Sequence, residues 1–353
     1  MLNDKLAGRP WMLYGATGHT GRLIAEHAVS RGHRPILAGR SRSKLEPVAA
    51  ALGLGFAIVS LADAHELRRA LRNVSLVLHA AGPFSETSSP MLEACLDVGA
   101  HYLDITGELQ VFEHTLAHDE KARARGIAVV SGVAFNALPS DCLALYLKQK
   151  VSDACSLELA VAADGLPSGG TTKAMLDMLR MGSLRRRDGV LEPVEFSGKR
   201  IPFPLGPRYA VCLPWGDLST AFRTTGIPNI QTYFASQWNT ARAVEFAAPF
   251  MRRVLSSKRV FDTCCLLADG LLGGAPPGPR PEARWQVWGR VENARGEARE
   301  ASLETPEGYI FSARAAVQCV EWVWERGLIG AHTPASAFGA TAVREIVGVV
   351  WNG

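Results

Sequence analysis

The N-terminal part of the chain alternates short apolar runs with longer amphipathic stretches. The apolar runs cover residues 11–14, 35–38, 56–59, 75–79, 102–105 and 127–130, and stretches typical of helices separate them. Short, nearly continuous apolar runs are typical of parallel strands, because helices cover both faces of such a sheet. Six strands that alternate with helices therefore predict an α/β fold with a doubly wound parallel sheet.

Beyond residue 138 this regular alternation stops. The pattern predicts a helix at 141–150, a strand at 157–161, a helix after Ser168, a solvated turn at 185–187 and an extended proline-rich loop at 202–214. An apolar helical region at 244–272, interrupted by Pro249, precedes a Gly/Pro-rich loop at 270–281, strands at 285–291 and 298–303, and a helix from 309. This mixture predicts a C-terminal α+β domain, and 353 residues are enough for two domains.

A glycine-rich turn joins the first predicted strand to the first helix. It reads Gly15-Ala16-Thr17-Gly18-His19-Thr20-Gly21, a G-x-x-G-x-x-G spacing. Glycine permits positive φ and close approach of a ligand to the backbone, and the following helix offers free N–H groups to a diphosphate. The predicted cofactor-binding residues here are Gly15, Thr17, Gly18, His19, Thr20 and Gly21. The alternative is a glycine-rich turn without a ligand, but its place in a strand–turn–helix unit favours the Rossmann dinucleotide site.

The tip of the second strand indicates which dinucleotide binds. An NAD site usually carries an acid here for the ribose 2′-hydroxyl, whereas an Arg accommodates the 2′-phosphate of NADP. This tip has no acid and reads Gly39-Arg40-Ser41-Arg42-Ser43-Lys44. Arg40 is best placed and Ser41 offers a second donor, so we favour NADP (NADPH). A solvated basic turn that caps the next helix is the alternative.

Two later strand ends complete the predicted cofactor site. Asp63 follows the third strand and is assigned either an adenine or ribose contact or the N-cap of the next helix. The fourth strand ends in a turn that contains Ala81, Gly82, Pro83 and Phe84. Ligands bind at the carboxyl ends of such strands, so small residues here suit a nicotinamide ribose, with Phe84 beside the ring. A tight strand-to-helix turn is compatible with that role.

Composition and charge narrow the class of protein. Hydrophobic residues make up 47% of the chain and charged residues 20%, which is typical of a globular protein. The net charge of +4 does not indicate a nucleic-acid partner. No apolar run is long enough for a membrane span, and the first residues carry no signal pattern, so we expect a cytoplasmic protein. Seven irregularly spaced cysteines predict free thiols and no metal site.

Four motifs in this order resemble the saccharopine dehydrogenase-like oxidoreductase family, and most closely its bacterial members, including trans-acting enoyl reductases. They are the stretch from Gly15 to Arg40, Gly82-Pro83-Phe84, His101-Tyr102-Leu103-Asp104-Ile105-Thr106-Gly107-Glu108 and Leu138-Pro139-Ser140-Asp141. Segments at 169–171, 214–221, 225–230 and 330–339 also resemble family elements. The Gly-Phe-Asp that usually precedes Pro-Ser-Asp is replaced by Val133-Ala134-Phe135-Asn136-Ala137.

The resemblance implies a division of the chain and a reaction. We expect an NADP-binding Rossmann domain at 1–138, an α+β substrate and dimerisation domain at 139–325, and a segment at 326–353 that returns to the Rossmann domain. The implied activity is NADPH-dependent hydride transfer to the activated C=C of an enoyl thioester or the C=N of an imine. The substrate is then a small molecule, and a homodimer is the expected assembly.

The reaction needs a polar group at the acceptor and a proton source. Tyr102, Asp104, Glu108 and Asp141 lie near strand ends that face the predicted cleft, and they are the catalytic candidates. Each has a structural alternative: Asp141 is also a potential helix N-cap, and Asp104 and Glu108 are potential turn formers.

Other readings stay open at this point. Tyr146 and Lys150 have the Tyr-x-x-x-Lys spacing of short-chain dehydrogenases, with Ser131 upstream, but Tyr146 lies well into a predicted helix. A protein that binds NADP without turnover, as a redox sensor or complex partner, is a second alternative. The region 244–272, with Arg252, Arg253, Lys258 and Arg259, suggests either a membrane-surface role or packing against the sheet or a second subunit; we favour packing.

Overall fold

A computed structural model describes residues 9–164, 169–235, 238–272 and 282–353. The chain divides into two compact units. The first contains Met1–Leu138 and Tyr309–Phe338, and the second contains Pro139–Gly308 and Gly339–Gly353. After residue 308 this differs from the division expected from the sequence: the helix after 308 joins the first unit, and the last fifteen residues (339–353) join the second.

The first unit is built on a seven-stranded parallel sheet. Its strands are β1 (Trp11–Tyr14), β2 (Ile36–Gly39), β3 (Phe56–Ile58), β4 (Leu76–His79), β5 (His101–Asp104), β6 (Ala128–Val130) and β15 (Gly330–His332). The strand order is β15-β6-β5-β4-β1-β2-β3. The predicted Rossmann sheet is confirmed, and β15 adds a seventh strand that the sequence did not reveal. The order reverses between β1 and β4, where ligands bind in such sheets.

Helices connect these strands and cover the sheet. They are α1 (His19–Ser30), α2 (Arg42–Leu52), α3 (Ala64–Leu71), α4 (Phe84–Val98), α5 (Leu109–Leu116), α6 (Asp119–Arg125), α12 (Gly308–Arg326) and α13 (Pro334–Phe338). Every residue of β1 and of β4 is buried. This burial explains the continuous apolar runs, since a strand between two helical layers has no solvent-facing side.

The second unit is built on a mixed sheet with the strand order β10-β11-β12-β7-β13-β14-β16, to which β8 and β9 attach. The strands are β7 (Ala154–Ala162), β8 (Leu184–Arg187), β9 (Val190–Pro193), β10 (Gly198–Phe203), β11 (Gly206–Cys212), β12 (Asn229–Ala235), β13 (Arg284–Asn293), β14 (Ala298–Pro306) and β16 (Val350–Asn352). The pair β7–β12 is parallel, and the other pairs are antiparallel. The predicted α+β class of this part is thereby confirmed.

Helices pack against this second sheet. They are α7 (Leu138–Lys150), α8 (Gly169–Met181), α9 (Asp217–Thr225), α10 (Trp238–Leu255) and α11 (Lys258–Leu272), and a short 3-10 turn covers Ala342–Glu345. Gly289 of β13 faces Leu143 and Leu147 of α7, and a Cβ there would lie 2.8 Å from the Leu147 side chain. A glycine therefore lets α7 approach the sheet closely. None of the described helices is both long and apolar enough to cross a membrane.

Two local predictions for this unit are wrong. The arginines at 185–187 form part of β8 and not a solvated turn: Arg186 is 7% exposed, and its Nε donates to the Leu218 carbonyl at 2.8 Å. The region 202–214 is largely the β10–β11 hairpin, in which Pro202 pairs with Pro207. The predicted loop at 270–281 and Ser168 lie almost wholly outside the described residues.

Candidate functional site

The glycine turn lies between β1 and α1 at the carboxyl edge of the first sheet. Gly15 has φ +92°, and a Cβ there would lie 2.7 Å from the Ala80 carbonyl carbon. A Cβ on Gly21 would lie 2.2 Å from the Gly15 oxygen. Both positions therefore require glycine. At Gly18 a Cβ would meet its nearest atom at 3.4 Å, so this glycine leaves space without being forced by the backbone.

The N-terminus of α1 is open to an anion. Its N-cap residue is Gly18, and no side chain accepts a hydrogen bond from the first turn. No acidic residue lies in that turn either. Free N–H groups and the positive end of the helix dipole therefore point out of the turn that contains Thr17, His19 and Thr20. This geometry fits the diphosphate of a dinucleotide.

The turn after β4 lies directly beside the glycine turn, because Gly15 approaches the backbone of Ala80 and Ala81. The Thr87 hydroxyl lies 2.7 Å from the Ala81 carbonyl and 2.9 Å from the Pro83 carbonyl, which fixes the path of the turn. The Phe84 side chain does not stand free: it is 9% exposed and packs edge-on against His79, with ring centroids 5.3 Å apart. The Phe84 ring is therefore packed inside the first unit and is not exposed at the carboxyl edge of the sheet.

The buried ring of His79 contacts Thr87, the residue that fixes the turn after β4. His79 is fully buried, and burial lowers its pKa to about 3, so the imidazole is neutral at physiological pH. Its Nε2 lies 3.0 Å from the Thr87 hydroxyl. A neutral ring adds no charge to the candidate site.

Arg40 lies exposed at the end of β2, and no ion pair with another described residue engages it. The neighbouring Arg42 instead has its guanidinium 5.4 Å from the centre of the Phe56 ring. Ser41 is the N-cap residue of α2 but makes no side-chain cap, and its hydroxyl lies 3.2 Å from the Ser43 hydroxyl. Among the described residues, Arg40 and Lys44 are therefore the exposed cations of this tip with neither an ion pair nor a ring contact, and Arg40 lies directly at the strand end.

Asp63 caps the N-terminus of a helix. Its carboxylate accepts a hydrogen bond from the Glu66 backbone N–H at 2.8 Å and caps α3. Of the two alternatives that the sequence left for this residue, the structure shows the N-cap; Asp63 is exposed, and its contact with the cofactor stays a prediction.

Tyr102 and Asp104 are both wholly buried. Asp104 accepts four hydrogen bonds: from the Thr106 and Gly132 backbone N–H groups at 3.0 Å each, from the Ser131 hydroxyl at 2.8 Å and from the Tyr102 hydroxyl at 2.9 Å. Burial raises the pKa of Asp104, and these hydrogen bonds oppose that shift. Burial and the nearby Asp104 carboxylate raise the pKa of Tyr102 well above its ordinary value.

This network ties β5 to the segment after β6. An oxygen with all its lone pairs engaged and no solvent access is a poor proton donor to a substrate. These contacts favour a structural role for Tyr102 and Asp104 at the sheet edge, and their direct part in catalysis stays a prediction from the sequence.

Glu108 caps a helix that is not its neighbour in sequence. Its two carboxylate oxygens accept hydrogen bonds from the Phe84 and Ser85 backbone N–H groups, both at 2.8 Å. A carboxylate is favourable at a helix N-terminus, so Glu108 fixes the start of α4. This half-buried group joins the loop after β5 to the turn after β4, and it lies at the edge of the candidate cofactor site.

The sequence did not reveal Tyr309 as a neighbour of the glycine turn. Its ring, at the start of α12, meets the His19 ring edge-on, with centroids 4.8 Å apart. Burial lowers the pKa of His19. The two residues are far apart in the chain, so the local signals that identified the glycine turn did not include Tyr309.

The second unit carries a pair of buried carboxyl groups. Asp141, in the first turn of α7, is wholly buried, and Asp217, the first residue of α9, is 1% exposed. Burial raises the pKa of Asp217 to about 8, the negative charge of Asp141 adds to the rise, and a hydrogen bond with the Ser140 side chain opposes it. Within the described residues, Asp217 Oδ1 has no hydrogen-bond partner. The sequence pointed to Asp141 and missed Asp217.

The short-chain alternative finds no support in the surroundings of Tyr146. The Tyr146 ring packs edge-on against Trp351 at 5.1 Å, and the Lys150 ammonium lies 5.1 Å from its centre. Ser131 belongs to the Asp104 network of the first unit. These contacts are ordinary aromatic and cation–π packing within the second unit.

Fold and site together define a dinucleotide-binding protein. Residues 11–130 match the family model of the saccharopine dehydrogenase NADP binding domain. This part of the chain therefore resembles a saccharopine dehydrogenase NADP-binding domain, and the resemblance and the NADP prediction drawn from the motifs are confirmed at that level.

Curated relatives carry names from the same group. The human saccharopine dehydrogenase-like oxidoreductase is 28% identical over 225 residues, which cover 55% of this chain and 52% of that protein. The trans-acting enoyl reductase of Mycobacterium leprae (strain TN) is 33% identical over 148 residues, which cover 40% of this chain and 35% of that protein. The chain thus spans about half the length of the first relative and about a third of the second.

Among solved structures, the saccharopine dehydrogenase (L-Glu forming) of Saccharomyces cerevisiae has a similar fold. The TM-score is 0.64 at 12% identity, and the match covers 98% of this chain and 99% of that one. At this identity the likeness concerns the fold alone. The structural match extends beyond residues 11–130 into the second unit.

Proposed function

We propose that this chain is an NADPH-dependent oxidoreductase that transfers hydride to an activated C=C or C=N bond of a small molecule. The observation that carries the proposal is the uncapped start of α1, which Gly15 and Gly21 permit, together with the exposed Arg40 at the end of β2. These residues fit a dinucleotide with a 2′-phosphate. NADPH supplies the hydride when bound, and the protein supplies position and polarity.

Arg40 carries the preference for NADP in this proposal. A guanidinium binds a phosphate group with two parallel hydrogen bonds, and it has no carboxylate beside it to compete for them. The Ser41 hydroxyl adds a donor at the same tip. An NAD site would place an acid there, and the tip reads Arg-Ser-Arg.

The acceptor proposed first is an enoyl thioester, because a relative of this chain is named a trans-acting enoyl reductase. Hydride addition to the β-carbon of such a substrate leaves negative charge that a proton must meet at the α-carbon. A cyclic imine is the second class to test. Sequence resemblance to saccharopine dehydrogenases supports it.

The proposed proton sources are the carboxyl groups that lie outside the fully satisfied Asp104 network. Glu108 lies at the turn expected beside the nicotinamide, and the Asp141–Asp217 pair keeps a proton at neutral pH because burial raises the pKa of Asp217 to about 8. Glu108→Gln and Asp141→Asn separate the two candidates. Loss of kcat with an unchanged dissociation constant for NADPH identifies the group that acts in the reaction.

The decisive experiment measures binding and turnover in the same preparation. NADPH fluorescence reports binding, and absorbance at the nicotinamide band reports oxidation with enoyl thioesters, cyclic imines and carbonyl compounds as acceptors. We expect NADPH to bind and one acceptor class to oxidise it. Binding without oxidation by any acceptor would favour the sensor, and loss of turnover in Tyr146→Phe would favour the short-chain alternative.

The roles of the two parts of the chain belong to the same proposal. The first unit holds the cofactor, and the second unit recognises the substrate. A homodimer and a cytoplasmic location stay predictions from the sequence.

A further inference from the structure

Two helices of the second unit expose large apolar side chains. On α10, Phe246 is 82% exposed, Phe250 is 72% exposed and Val254 is 39% exposed. On α11, Leu266 is 71% exposed and Leu267 is 57% exposed. We call these five residues the apolar face. Positions 246, 250 and 254 are four residues apart, so they share one side of α10.

The opposite side of each helix is held by the rest of the unit. The Glu245 carboxylate accepts hydrogen bonds from the Tyr209 hydroxyl at 2.6 Å and from the Gly198 backbone N–H at 3.0 Å. Ala248 and Leu255 are buried. On α11, the Phe261 ring lies 4.3 Å from the Arg180 guanidinium of α8. The helices are therefore docked in one orientation, and the apolar face is the side that points away.

Cations surround the connection between the two helices. Arg253, Lys258 and Arg259 are exposed, and none forms an ion pair with another described residue, whereas the Arg252 guanidinium lies against Gly182 on the docked side of α10. Asp262 is the exposed acid of the same stretch. Within residues 253–262, these three cations and one carboxylate give a net positive charge, although the protein as a whole has a net charge of only +4.

We propose that the apolar face, with its three flanking cations, docks the protein on an anionic lipid membrane. An amphipathic helix that carries Phe and Leu on one side and Lys or Arg beside them lies in the membrane plane, with its apolar side chains at the boundary of the acyl chains. The cations then lie level with the lipid phosphates, and they have no internal carboxylate to compete for them. This inference does not depend on the proposed reaction.

Charge favours a lipid surface over a second copy of the chain. A two-fold dimer through this face would place the same surface against itself. The three cations of one copy would then approach the three of the other, and like charges at an interface oppose association. An anionic membrane offers charge of the opposite sign and a soft apolar layer to the same residues. The surface is not a transmembrane element, since neither helix qualifies as a span.

The test is co-sedimentation of the full chain with large unilamellar vesicles. One set contains phosphatidylcholine alone, and the other contains phosphatidylcholine with phosphatidylglycerol. We expect binding to the anionic vesicles that weakens at high salt, with little binding to the neutral ones. Phe246→Ser with Phe250→Ser should weaken that binding at least roughly tenfold, because two exposed rings lose their place in the membrane interface.

Charge variants test the second half of the proposal. Arg253→Gln with Arg259→Gln should weaken binding to anionic vesicles roughly twentyfold or more, at about fivefold per cation. Arg295→Gln with Arg299→Gln removes two exposed cations of the same unit elsewhere and should leave binding unchanged. Val190→Ser with Leu205→Ser is the matched apolar control, since both residues are more than half exposed away from these helices.

Three outcomes would overturn the proposal. The first is the absence of binding to anionic vesicles at low salt. The second is equal binding to neutral and anionic vesicles, or equal losses in the control variants. The third is a dimer in sedimentation equilibrium that Phe246→Ser with Phe250→Ser converts to a monomer, which would assign the apolar face to a second copy. All four residue pairs are exposed, so circular dichroism of each variant should match the parent protein.

Discussion

Each unit contains a buried aspartate, and the two are held in different ways. Asp104 of the first unit accepts four hydrogen bonds from donors on β5, on the segments after β5 and after β6. Asp217 of the second unit keeps an oxygen without a hydrogen-bond partner among the described residues and lies near a second carboxyl group, Asp141. Burial raises the pKa of both and hydrogen bonds oppose the rise at both, but only at Asp217 does a second carboxyl group, Asp141, add to it.

This difference separates a structural carboxyl group from one that exchanges a proton. A carboxylate whose lone pairs are all satisfied fixes the backbone around it, and its removal leaves several donors unpaired. A poorly solvated carboxyl group beside another carboxylate stays protonated into the neutral range. The first arrangement suits a rigid edge for a cofactor, and the second suits a group whose protonation changes with conditions.

The largest effect is expected from Asp104→Ala. Four donors lose their acceptor in the interior of the first unit, and breaking such a buried network costs about 3–5 kcal/mol. Urea denaturation of the variant should show this loss in the free energy of unfolding. Asp97→Ala is the exposed control, since Asp97 pairs only with Arg68 at the surface and its loss should cost less than about 1 kcal/mol. A loss of similar size in both variants would contradict the structural role of Asp104.

The second prediction concerns pH. The pKa of Asp217 is about 8 in the folded chain and 3.8 in its ordinary state, so the folded state binds the proton more tightly. Its contribution to stability is full below about pH 4 and is lost as the pH rises through about 8. Between these values this group lowers the free energy of unfolding by up to about 1.4 kcal/mol per pH unit.

Asp217→Asn should remove that part of the pH dependence, because the amide stays neutral throughout. Unfolding by urea between pH 5 and 9 measures the slope in both proteins. Asp262→Asn, at an exposed position, should keep the slope of the parent protein. An unchanged slope in Asp217→Asn would show that Asp217 is ionised in the folded state.

The smallest effects come from single hydroxyl groups beside each aspartate. Ser131→Ala removes one of the four hydrogen bonds to Asp104 and should cost about 1 kcal/mol with little dependence on pH. Ser140→Ala removes a hydrogen bond that lowers the pKa of Asp217 in the folded chain, so the loss of stability with rising pH should continue to a higher pH than in the parent protein. Measured in the same pH series, the two variants should therefore differ in how their free energy of unfolding depends on pH. Identical pH profiles would remove the contrast between the two sites.

The sequence predicted the first unit well because its strands are short, buried on both faces and contiguous in the pattern. The glycine turn could also be predicted from the sequence, because local backbone geometry requires glycine at positions 15 and 21. The seventh strand, β15, was not, because it joins the sheet from the far end of the chain and three residues carry little periodicity.

The second unit was harder to predict because long-range pairing decides its structure. The prolines at 202 and 207 suggested a loop, but they lie opposite each other near the end of a hairpin. Arg186 suggested a solvated turn, but the Leu218 carbonyl and the Phe222 ring satisfy it in the interior. No local signal contains these partners.

The candidate site shows the same limit. Glu108 was recognised as a polar residue at a strand end, but its partners are the N–H groups of Phe84 and Ser85. Asp217 gains its raised pKa from burial and from Asp141, which is distant in sequence. Chemistry that depends on the local chain was predictable, and chemistry that depends on burial and on distant partners was not.

The most direct test of the central claim is the cofactor preference of Arg40→Asp. Fluorescence titration gives the dissociation constants of NADPH and NADH for the parent protein, for Arg40→Asp and for the control Arg42→Asp, whose wild-type side chain packs on Phe56. We predict that Arg40→Asp shifts the ratio of the two constants at least roughly tenfold toward NADH, since a carboxylate repels the 2′-phosphate and accepts from the 2′-hydroxyl. An unchanged ratio in Arg40→Asp, or an equal shift in Arg42→Asp, would contradict the assignment.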